Sequence, residues 1–309
     1  MTLVTLILFV PGSSSVDAAE KVDKISITYV KLPLNVPAII AKRLGLFEKE
    51  FGSDGIAIER PEMNTGAQQM RALAAGAVQF ASVTGGEAAI LAKANGMDLK
   101  IIAAFSRAPK AFSIMVKNPA IRKAADLKGK TIVGPKGTVS HHLLVAALKR
   151  EGLTPADVKF VNMTVPQAQA ALISDSADAA LIVGSVIIQA ESAGARVLLD
   201  GEKLVSGLTV SAVRGAFLKN HSDLVKRYLK VNDQALQYMK KNPAESIRIV
   251  AEETQITEAD VKRMLPWYDF SSKITSRVLA DLTVTQRFLR ENDMLVDTID
   301  IKDMIGVVH

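Results

Sequence analysis

Two adjacent histidines, His141 and His142, stand at the start of a predicted helix, directly after a loop that contains two glycines. The stretch GPKGTVSHHLLVAALKREGL covers residues 134–153. The first turn of a helix carries free backbone N–H groups and the positive end of the helix dipole, which together favour an anion. The hydroxyls of Thr138 and Ser140 and one imidazole N–H of His141 can add donors. The pattern therefore predicts an anion-binding helix terminus.

Three other interpretations of this stretch stay open: plain helix capping without a ligand, a metal site, and catalysis. Successive helical residues point about 100° apart, so neighbouring histidines are poorly placed to grip one ion. The rest of the chain offers only His221 and His309 as further imidazoles. The phosphate-binding pattern GxxxxGK(S/T) and the nucleophile pattern GxSxG are both absent from the sequence. We therefore expect binding rather than chemistry, with no metal and no cofactor.

The N-terminal stretch MTLVTLILFVPGSSSVDAAEK has the pattern of an export signal. An apolar run over residues 3–10 is followed by Pro11, a serine cluster, and small side chains at Val16 and Ala18. Such a run is too short to span a bilayer. The pattern predicts a signal peptide over residues 1–18, cleaved near Ala18, and a periplasmic protein. A buried first strand is the alternative.

The amino-acid composition argues against several classes of function. The chain contains no cysteine, which excludes disulfides, thiolate metal sites, cysteine nucleophiles and a lipid-anchoring cysteine. The net charge is +6, but the basic residues are scattered and only 5% of the residues are aromatic. These features give nucleic-acid binding little support. A mildly positive field favours anionic ligands.

Short β-branched runs alternate with helical stretches from residue 24 onward. Strands are predicted at residues 25–30, 79–83, 100–105, 112–116, 131–133, 158–163, 179–183 and 196–199. This alternation predicts an α/β fold with parallel sheets that are covered by helices on both faces.

Two pairs of segments indicate an internal repeat. TGAQQMRALAAGAVQFASVTGG begins at Thr65 and TVPQAQAALISDSADAALIVGS begins at Thr164, so that Gly85 and Gly184 occupy equivalent positions. IAKRLGLF and AALKREGL form a second pair in the same order. Because repeated segments mark repeated structural units, the sequence predicts two α/β lobes built on one plan.

Capping boxes are predicted at three helix starts. They pair a threonine with an acid or amide three residues later: Thr65 with Gln68, Thr84 with Glu87, and Thr164 with Gln167. Ordinary capping needs no ligand, and this interpretation stays open.

The loops that follow the strands are expected to line a ligand crevice, as in other open α/β sheets. On this basis Thr84 and Gly85 of one lobe face Gly184 and Ser185 of the other across a common mouth. We expect the glycines there to leave backbone N–H groups open to a ligand.

Four segments together resemble the substrate-binding proteins of ABC importers. They are ISITYVKLPLNVPAIIAKRLGLFEKE, ALAAGAVQFASV, DLKGKTIVGPKGTVSHHLL and DAALIVGSVIIQAESAGARVLLDG. The branch they resemble binds nitrate, taurine, aliphatic sulfonates and thiamine-pyrimidine precursors. The similarity extends over roughly residues 25–290.

The resemblance implies a type II periplasmic-binding-protein fold with a two-segment hinge. Lobe 1 would comprise residues 25–108 and 206–309, with the C-terminal helices packed on it, and lobe 2 residues 109–205. The crossovers between the lobes would lie near residues 107–112 and 205–210.

The resemblance also implies a set of ligand-binding residues on five loops. They are Leu34 and Asn35, Thr65 and Gly66, Thr84 and Gly85, the anion grip of Thr138, Ser140 and His141, and finally Gly184 and Ser185. The last loop departs from the family, because many relatives read DAxxxWxP where this chain reads DAALIVGSV. The missing tryptophan predicts space for a larger or more apolar ligand.

The function implied is capture of a small organic anion, sulfonate- or carboxylate-like, and its delivery to an ABC permease in the inner membrane. The protein would be a monomer and not an enzyme. Two alternatives remain: a ligand-sensing module for a membrane receptor, and a biosynthetic enzyme of the same fold, of the thiamine-pyrimidine or menaquinone type. Arg107 is expected at the hinge edge, with pairing to a carboxylate or sulfonate as the alternative. Trp267 and Tyr268 are expected in core packing, with a place in the cleft lining as the alternative for one of them.

Overall fold

The computed structural model describes residues 22–30 and 35–307. The predicted signal peptide and the predicted ligand residue Leu34 lie outside these ranges. No helix within them is long and apolar enough to cross a membrane.

The structure alternates strands and helices over most of its length. The strands are β1 (Lys24–Ser26), β2 (Ala57–Glu59), β3 (Ala81–Gly85), β4 (Leu99–Arg107), β5 (Phe112–Val116), β6 (Thr131–Gly134), β7 (Lys159–Asn162), β8 (Ala179–Val183), β9 (Arg196–Asp200), β10 (Leu208–Arg214) and β11 (Asp269–Phe270). The α-helices are α1 (Val36–Arg43), α2 (Leu46–Phe51), α3 (Gly66–Ala74), α4 (Gly86–Ala94), α5 (Val139–Arg150), α6 (Val165–Ile173), α7 (Ser185–Ser192), α8 (Gly215–Asn220), α9 (Ser222–Lys241), α10 (Pro243–Thr254), α11 (Glu258–Met264) and α12 (Ser276–Glu291). The predicted α/β class is confirmed.

The strands form two sheets with the same spatial order. In one, β2 pairs with β1, a bridge from Ile27 to Phe80 joins this pair to β3, and the order continues through β10 and β4 to β11. In the other, the order is β7-β6-β8-β5-β9. Hereafter lobe 1 denotes the elements around the first sheet, including α1–α4 and α8–α12, and lobe 2 denotes β5–β9 with α5–α7. The predicted lobe boundaries by residue number stay a prediction.

The prediction of wholly parallel sheets is wrong. Strand β10 runs antiparallel to β3 and β4, and β5 runs antiparallel to β8 and β9. The cause lies in the connections. The chain enters β5 and β10 directly from the opposite sheet rather than through a helix, so both strands start at the edge where their parallel neighbours end.

The predicted internal repeat is seen in the structure at equivalent helix starts. Thr65 caps α3 and Thr164 caps α6, both with the predicted capping box. Gly85 and Gly184 hold the cap positions of α4 and α7. The capping box predicted at Thr84 is wrong, because Thr84 still belongs to β3 and α4 begins one residue later than such a box requires.

The C-terminal helices pack on lobe 1. Helix α9 buries one face, formed by Leu224, Val225, Tyr228, Val231 and Ala235, at the spacing expected of an amphipathic helix. The ring of Tyr228 stacks on Phe80 at 4.1 Å between centroids, and both side chains are buried. These contacts fix α9 against the sheet that supports the predicted ligand loops.

The two crossovers lie against each other. The Ala108 amide donates to the Gly207 carbonyl at 3.2 Å, and the Gly201 amide donates to the Pro109 carbonyl at 3.2 Å. Gly207 has a φ of +60°, and a Cβ built on it would lie 2.6 Å from the carbonyl carbon of Ala108. Only glycine therefore allows the backbones to approach this closely.

We expect Gly207→Ala to lower the free energy of unfolding by about 3 kcal/mol, because it adds a backbone clash to an unfavourable φ. Gly129→Ala is the matched control, since Gly129 has a φ of +73° with no atom within 4 Å of the added Cβ. The control is expected to lose about 1 kcal/mol of its free energy of unfolding. Urea unfolding of the two variants measures the difference, and equal losses would contradict the backbone clash at the crossovers.

Candidate functional site

The strand ends of the two sheets place the predicted ligand loops between the lobes. In lobe 1 the parallel strands β1–β3 lead toward α1, α3 and α4, whose cap positions are Asn35, Thr65 and Gly85. In lobe 2 the parallel strands β6–β8 lead into α5–α7, and Thr138 and Gly184 cap α5 and α7. The topology thus directs helix N-termini of both lobes toward one gap.

The starts of α4 and α5 meet across this gap. A Cβ built on Gly85 would lie 3.8 Å from Cγ2 of Val139, the first residue of α5. On the other side, a Cβ built on Gly66 would lie 3.0 Å from the hydroxyl of Thr84. Four predicted site residues therefore adjoin this contact: Gly66, Thr84, Gly85 and Thr138.

His141 is buried at this contact and has an unused nitrogen. The residue is 7% exposed, and its ring lies against Phe160 of lobe 2 and Phe288 of α12, with ring centroids 4.8 and 6.0 Å away. Burial, aided by the charges of Lys136 and His142, lowers the pKa of His141 to about 4. The imidazole is therefore neutral at pH 7, and its Nδ1 has no hydrogen-bond partner.

His142 joins the lobes directly. Its ring stacks on Phe288 at 4.0 Å between centroids and 9° between planes. Its Nδ1 lies 3.4 Å from Oε1 of Glu87, in the first turn of α4, and both side chains are buried. Sequence reasoning assigned Glu87 to a capping box, and nothing in the local pattern indicated that its partner lies 55 residues away.

Four buried polar atoms in the described residues lack a partner: the hydroxyl of Thr84, Nδ1 of His141, Oδ1 of Asn35 and the hydroxyl of Tyr268. Leaving such an atom unsatisfied costs about 1–3 kcal/mol. Three of the four belong to the ligand set predicted from the sequence. Such a set of unsatisfied groups is typical of a site that a ligand or ordered water completes.

Tyr268 is the member of this group that sequence reasoning assigned to core packing. The structure does bury it, stacked on Phe270 at 5.3 Å and packed against the core of lobe 2. The ring satisfies the predicted packing role, but the hydroxyl has no partner there. Trp267 is half-buried against the same core.

Other predicted donors are already engaged within the protein. The Thr138 hydroxyl donates to the Pro135 carbonyl at 2.8 Å, and the Thr65 hydroxyl takes part in its capping box with Gln68. The prediction that the glycines leave their N–H groups open is wrong at Gly184, whose amide donates to the Ala111 carbonyl at 2.9 Å. The tight turn there, with φ +55°, brings that amide back onto the neighbouring crossover.

Two further predicted residues, Ser185 and Arg107, lie in different parts of the structure from each other. Ser185 lines a groove between α7 and the start of α11, whereas Gly85 and Val139 meet at the contact of α4 with α5. Arg107 forms a two-pronged ion pair with Asp281 of α12, at 2.6 and 3.3 Å. Its guanidinium therefore stabilises lobe 1 at the hinge edge.

The described residues contain no cluster of three or more histidine, aspartate or glutamate side chains placed to hold a metal ion. The donors at this contact are hydroxyls, an uncharged imidazole and the first turn of α5, and the Glu87 carboxylate and the Lys136 cation lie near them. These groups can bind and orient a ligand.

Two α/β lobes on one plan, two crossovers, and predicted ligand loops at facing strand ends are the features of a solute-binding protein of the periplasmic-binding-protein fold. The chain belongs to the NMT1/THI5 like family, whose model matches residues 33–246.

Individual relatives agree with this assignment. The chain is 28% identical over 271 residues to the taurine-binding periplasmic protein of Escherichia coli, covering 82% of this chain and 83% of the relative. The structure resembles the periplasmic aliphatic sulphonate binding protein SsuA of E. coli, with a TM-score of 0.80, 25% identity and 94% of each chain covered. It also resembles the alkanesulfonate-binding protein SsuA of Xanthomonas axonopodis pv. citri, with a TM-score of 0.82, 24% identity, and 92% and 98% of the chains covered.

The stability of the unliganded protein is expected to depend on His141 at acidic pH. The pKa of this imidazole falls from 6.5 to about 4 on folding. The unfolded chain therefore binds more protons between these values. The contribution of the neutral imidazole to the free energy of unfolding is complete above pH 6.5. It is lost as the pH falls through this window, by up to about 3 kcal/mol.

Urea unfolding of wild type and His141→Gln at several pH values between about 8 and 4 measures this effect. Wild type is expected to lose more free energy of unfolding than the variant over that range. His221→Gln, which removes an imidazole at the junction of α8 and α9, serves as the control. Parallel pH profiles for wild type and His141→Gln would contradict the burial argument.

Proposed function

We propose that this chain is the periplasmic solute-binding component of an ABC importer that captures a small organic anion, a sulfonate or a carboxylate, between its two lobes. It then delivers the anion, as a monomer, to an inner-membrane permease. The proposed ligand set is the one predicted from the sequence: Leu34, Asn35, Thr65, Gly66, Thr84, Gly85, Thr138, Ser140, His141, Gly184 and Ser185. The names of the relatives, which specify taurine and aliphatic sulfonates, favour a sulfonate.

One observation carries the proposal. The unpartnered hydroxyl of Thr84 belongs to lobe 1 and the unpartnered nitrogen of His141 belongs to lobe 2. A Cβ built on Gly85, next to Thr84, would lie 3.8 Å from Cγ2 of Val139, two residues before His141. An anion held by both groups would satisfy two buried atoms and the first turn of α5 at once. Because the groups come from different lobes, such an anion stabilises the state in which the lobes meet.

The donors are uncharged, which limits the charge of the ligand. Arg107 is engaged by Asp281, and His141 is neutral because burial lowers its pKa to about 4. Burying a group of two negative charges without a cationic partner costs far more than burying one. A sulfonate or carboxylate carries a single charge at pH 7 and suits a site of neutral donors. A phosphate monoester suits it less well.

A binding role is also consistent with the residues that the chain lacks. There is no cysteine in the sequence, so a cysteine-dependent enzyme of this fold is excluded. The neutral hydroxyl and imidazole donors can hold a ligand without a covalent step. We therefore propose capture without turnover.

Thermal-shift measurements with ethanesulfonate, taurine and propionate test the anion grip. We expect at least one sulfonate to raise the melting temperature of wild type by several degrees, since a ligand at 100 times its Kd adds about 2.7 kcal/mol. The double variant Ser140→Ala with His141→Ala should lose this shift while remaining folded. A double variant that binds the same sulfonate as wild type does would refute the assignment.

Thr84→Val gives a sharper test, because the hydroxyl it removes has no hydrogen-bond partner within the protein. We expect the unliganded variant to be at least as stable as wild type, yet to bind the sulfonate at least about tenfold more weakly, a loss near 1.4 kcal/mol. Thr28→Val is the control, because that hydroxyl already bonds to Gln69 at 2.9 Å. The control should lose stability and keep its affinity for the sulfonate. If Thr84→Val kept its affinity and Thr28→Val lost it, Thr84 would not belong to the site.

A further inference from the structure

A glutamine side chain is buried beside the segments of lobe 1 that contain Thr65 and Thr84. Gln69 is 2% exposed and is one of the buried residues of α3, together with Met70 and Leu73. Sequence reasoning used the neighbouring Gln68 for a capping box and gave Gln69 no role. An amide is costly to bury unless its donors and its acceptor are hydrogen-bonded. The partners of Gln69 therefore indicate what this side chain does.

The amide nitrogen of Gln69 joins two of the predicted ligand segments. Its Nε2 donates to the Val83 carbonyl at 2.7 Å and to the Met63 carbonyl at 3.3 Å. Val83 directly precedes Thr84, whose hydroxyl has no partner, and Met63 lies two residues before Thr65, the cap of α3. One buried group thus fixes the two segments relative to each other.

The amide oxygen of Gln69 is held as well. Its Oε1 accepts a hydrogen bond from the Thr28 hydroxyl at 2.9 Å. The same hydroxyl accepts from the Ser82 amide at 3.0 Å, one residue before Val83. Because both ends of the amide have partners, its orientation is fixed, and the two bonds that it donates are directed at the carbonyls of Val83 and Met63.

The start of α3 packs closely against Thr84. A Cβ built on Gly66 would lie 2.7 Å from Cβ of Ala88 and 3.0 Å from the Thr84 hydroxyl. Only glycine therefore allows α3 to come this near to α4 and to the end of β3. In packing this close, a shift of the Val83 carbonyl also displaces the hydroxyl of the next residue.

The internal repeat shows that packing alone does not require a glutamine at this position. In the alignment of the two repeated segments, Ala168 of α6 is equivalent to Gln69, and Val183 of β8 is equivalent to Thr84. Both lobe 2 residues are buried. Lobe 2 thus packs the equivalent helix and strand with apolar side chains at both positions. The buried glutamine and the unpartnered hydroxyl occur together in lobe 1.

We propose that Gln69 is a positioning residue of the anion site. Its amide holds the Thr84 hydroxyl and the start of α3 in one fixed relation, acting through the carbonyls of Val83 and Met63 and not through the ligand itself. A binding group is effective only when buried hydrogen bonds around it keep it in the productive geometry. The inference rests on the proposed function and adds a residue to it.

Calorimetric titration of the purified full chain with ethanesulfonate and with taurine measures the effect of Gln69→Met. Methionine has a similar length and shape but cannot donate to either carbonyl. We expect a sulfonate that binds wild type to bind this variant at least about tenfold more weakly, which is the usual scale for the loss of a supporting hydrogen bond behind a binding group.

Gln286→Met is the matched control. Gln286 is another buried glutamine of lobe 1, on α12, and its amide donates to the Ile299 carbonyl at 3.1 Å and accepts from the Ile299 amide at 2.9 Å. These bonds involve none of the predicted ligand segments. The control should lose free energy of unfolding in urea as Gln69→Met does, yet change the affinity for the sulfonate less than about twofold. Thr28→Val should also keep its affinity, because Gln69 retains both donated bonds.

Combining Gln69→Met with Thr84→Val tests whether the glutamine acts through the hydroxyl. If it does, the double variant should bind less than about threefold more weakly than Thr84→Val alone, because the group being positioned is already gone. Two independent tenfold losses would multiply to about 100-fold. A residue that only stabilises the fold would not show this coupling in affinity.

Gln69→Asn replaces Gln69→Met in these titrations if the methionine variant does not fold. Asparagine keeps an amide in the site but is one methylene too short to hold both carbonyls, so the same loss of affinity is expected. Wild-type affinity in the Gln69 variant, equal weakening by Gln286→Met, or independent effects with Thr84→Val would each overturn the positioning role and leave the anion site standing. Failure of both sulfonates to bind wild type would overturn both proposals.

Discussion

The first turn of α5 is buried, and the rest of this structure depends on that burial. His141 and His142 both leave solvent there, and each imidazole then needs a partner or stays neutral. His142 has Glu87 of the opposite lobe. His141 has aromatic neighbours but no partner for Nδ1, and its pKa is low because it is buried. The contact that brings the lobes together therefore also creates the unsatisfied group that a ligand can complete.

The topology explains why this contact forms at the strand ends. In each lobe three parallel strands lead toward helices whose N-termini face the gap, and one antiparallel strand enters directly from the other lobe. The antiparallel strands keep the crossovers short, and the close approach of Gly207 to Ala108 keeps them side by side. The helix starts of one lobe are thereby held opposite those of the other.

Features set by neighbouring residues could be predicted from the sequence, and features set by distant residues could not. The capping boxes at Thr65 and Thr164 and the start of α5 follow from residues within one turn. The box at Thr84 failed because the strand pairing of β3 extends through Gly85 to Thr209 of β10. Strand β10 was missed for a related reason: its sequence was assigned to a crossover. The unpartnered Tyr268 hydroxyl depends on the packing of lobe 2 around it, which no local pattern reveals.

The position of Glu87 bears on which anions the site can accept. Helices α4 and α5 both begin at the interface, so their positive ends approach each other. The buried Glu87 carboxylate lies in the first turn of α4 and contacts His142 in the first turn of α5, where its charge offsets that of both helix ends. An anion bound at His141, as proposed, would bring a second negative charge close to Glu87. Because neighbouring like charges repel strongly in a buried site, one further charge would need the donors of both lobes, and two would be disfavoured. Under the proposed binding mode, the arrangement that joins the lobes therefore favours a singly charged ligand.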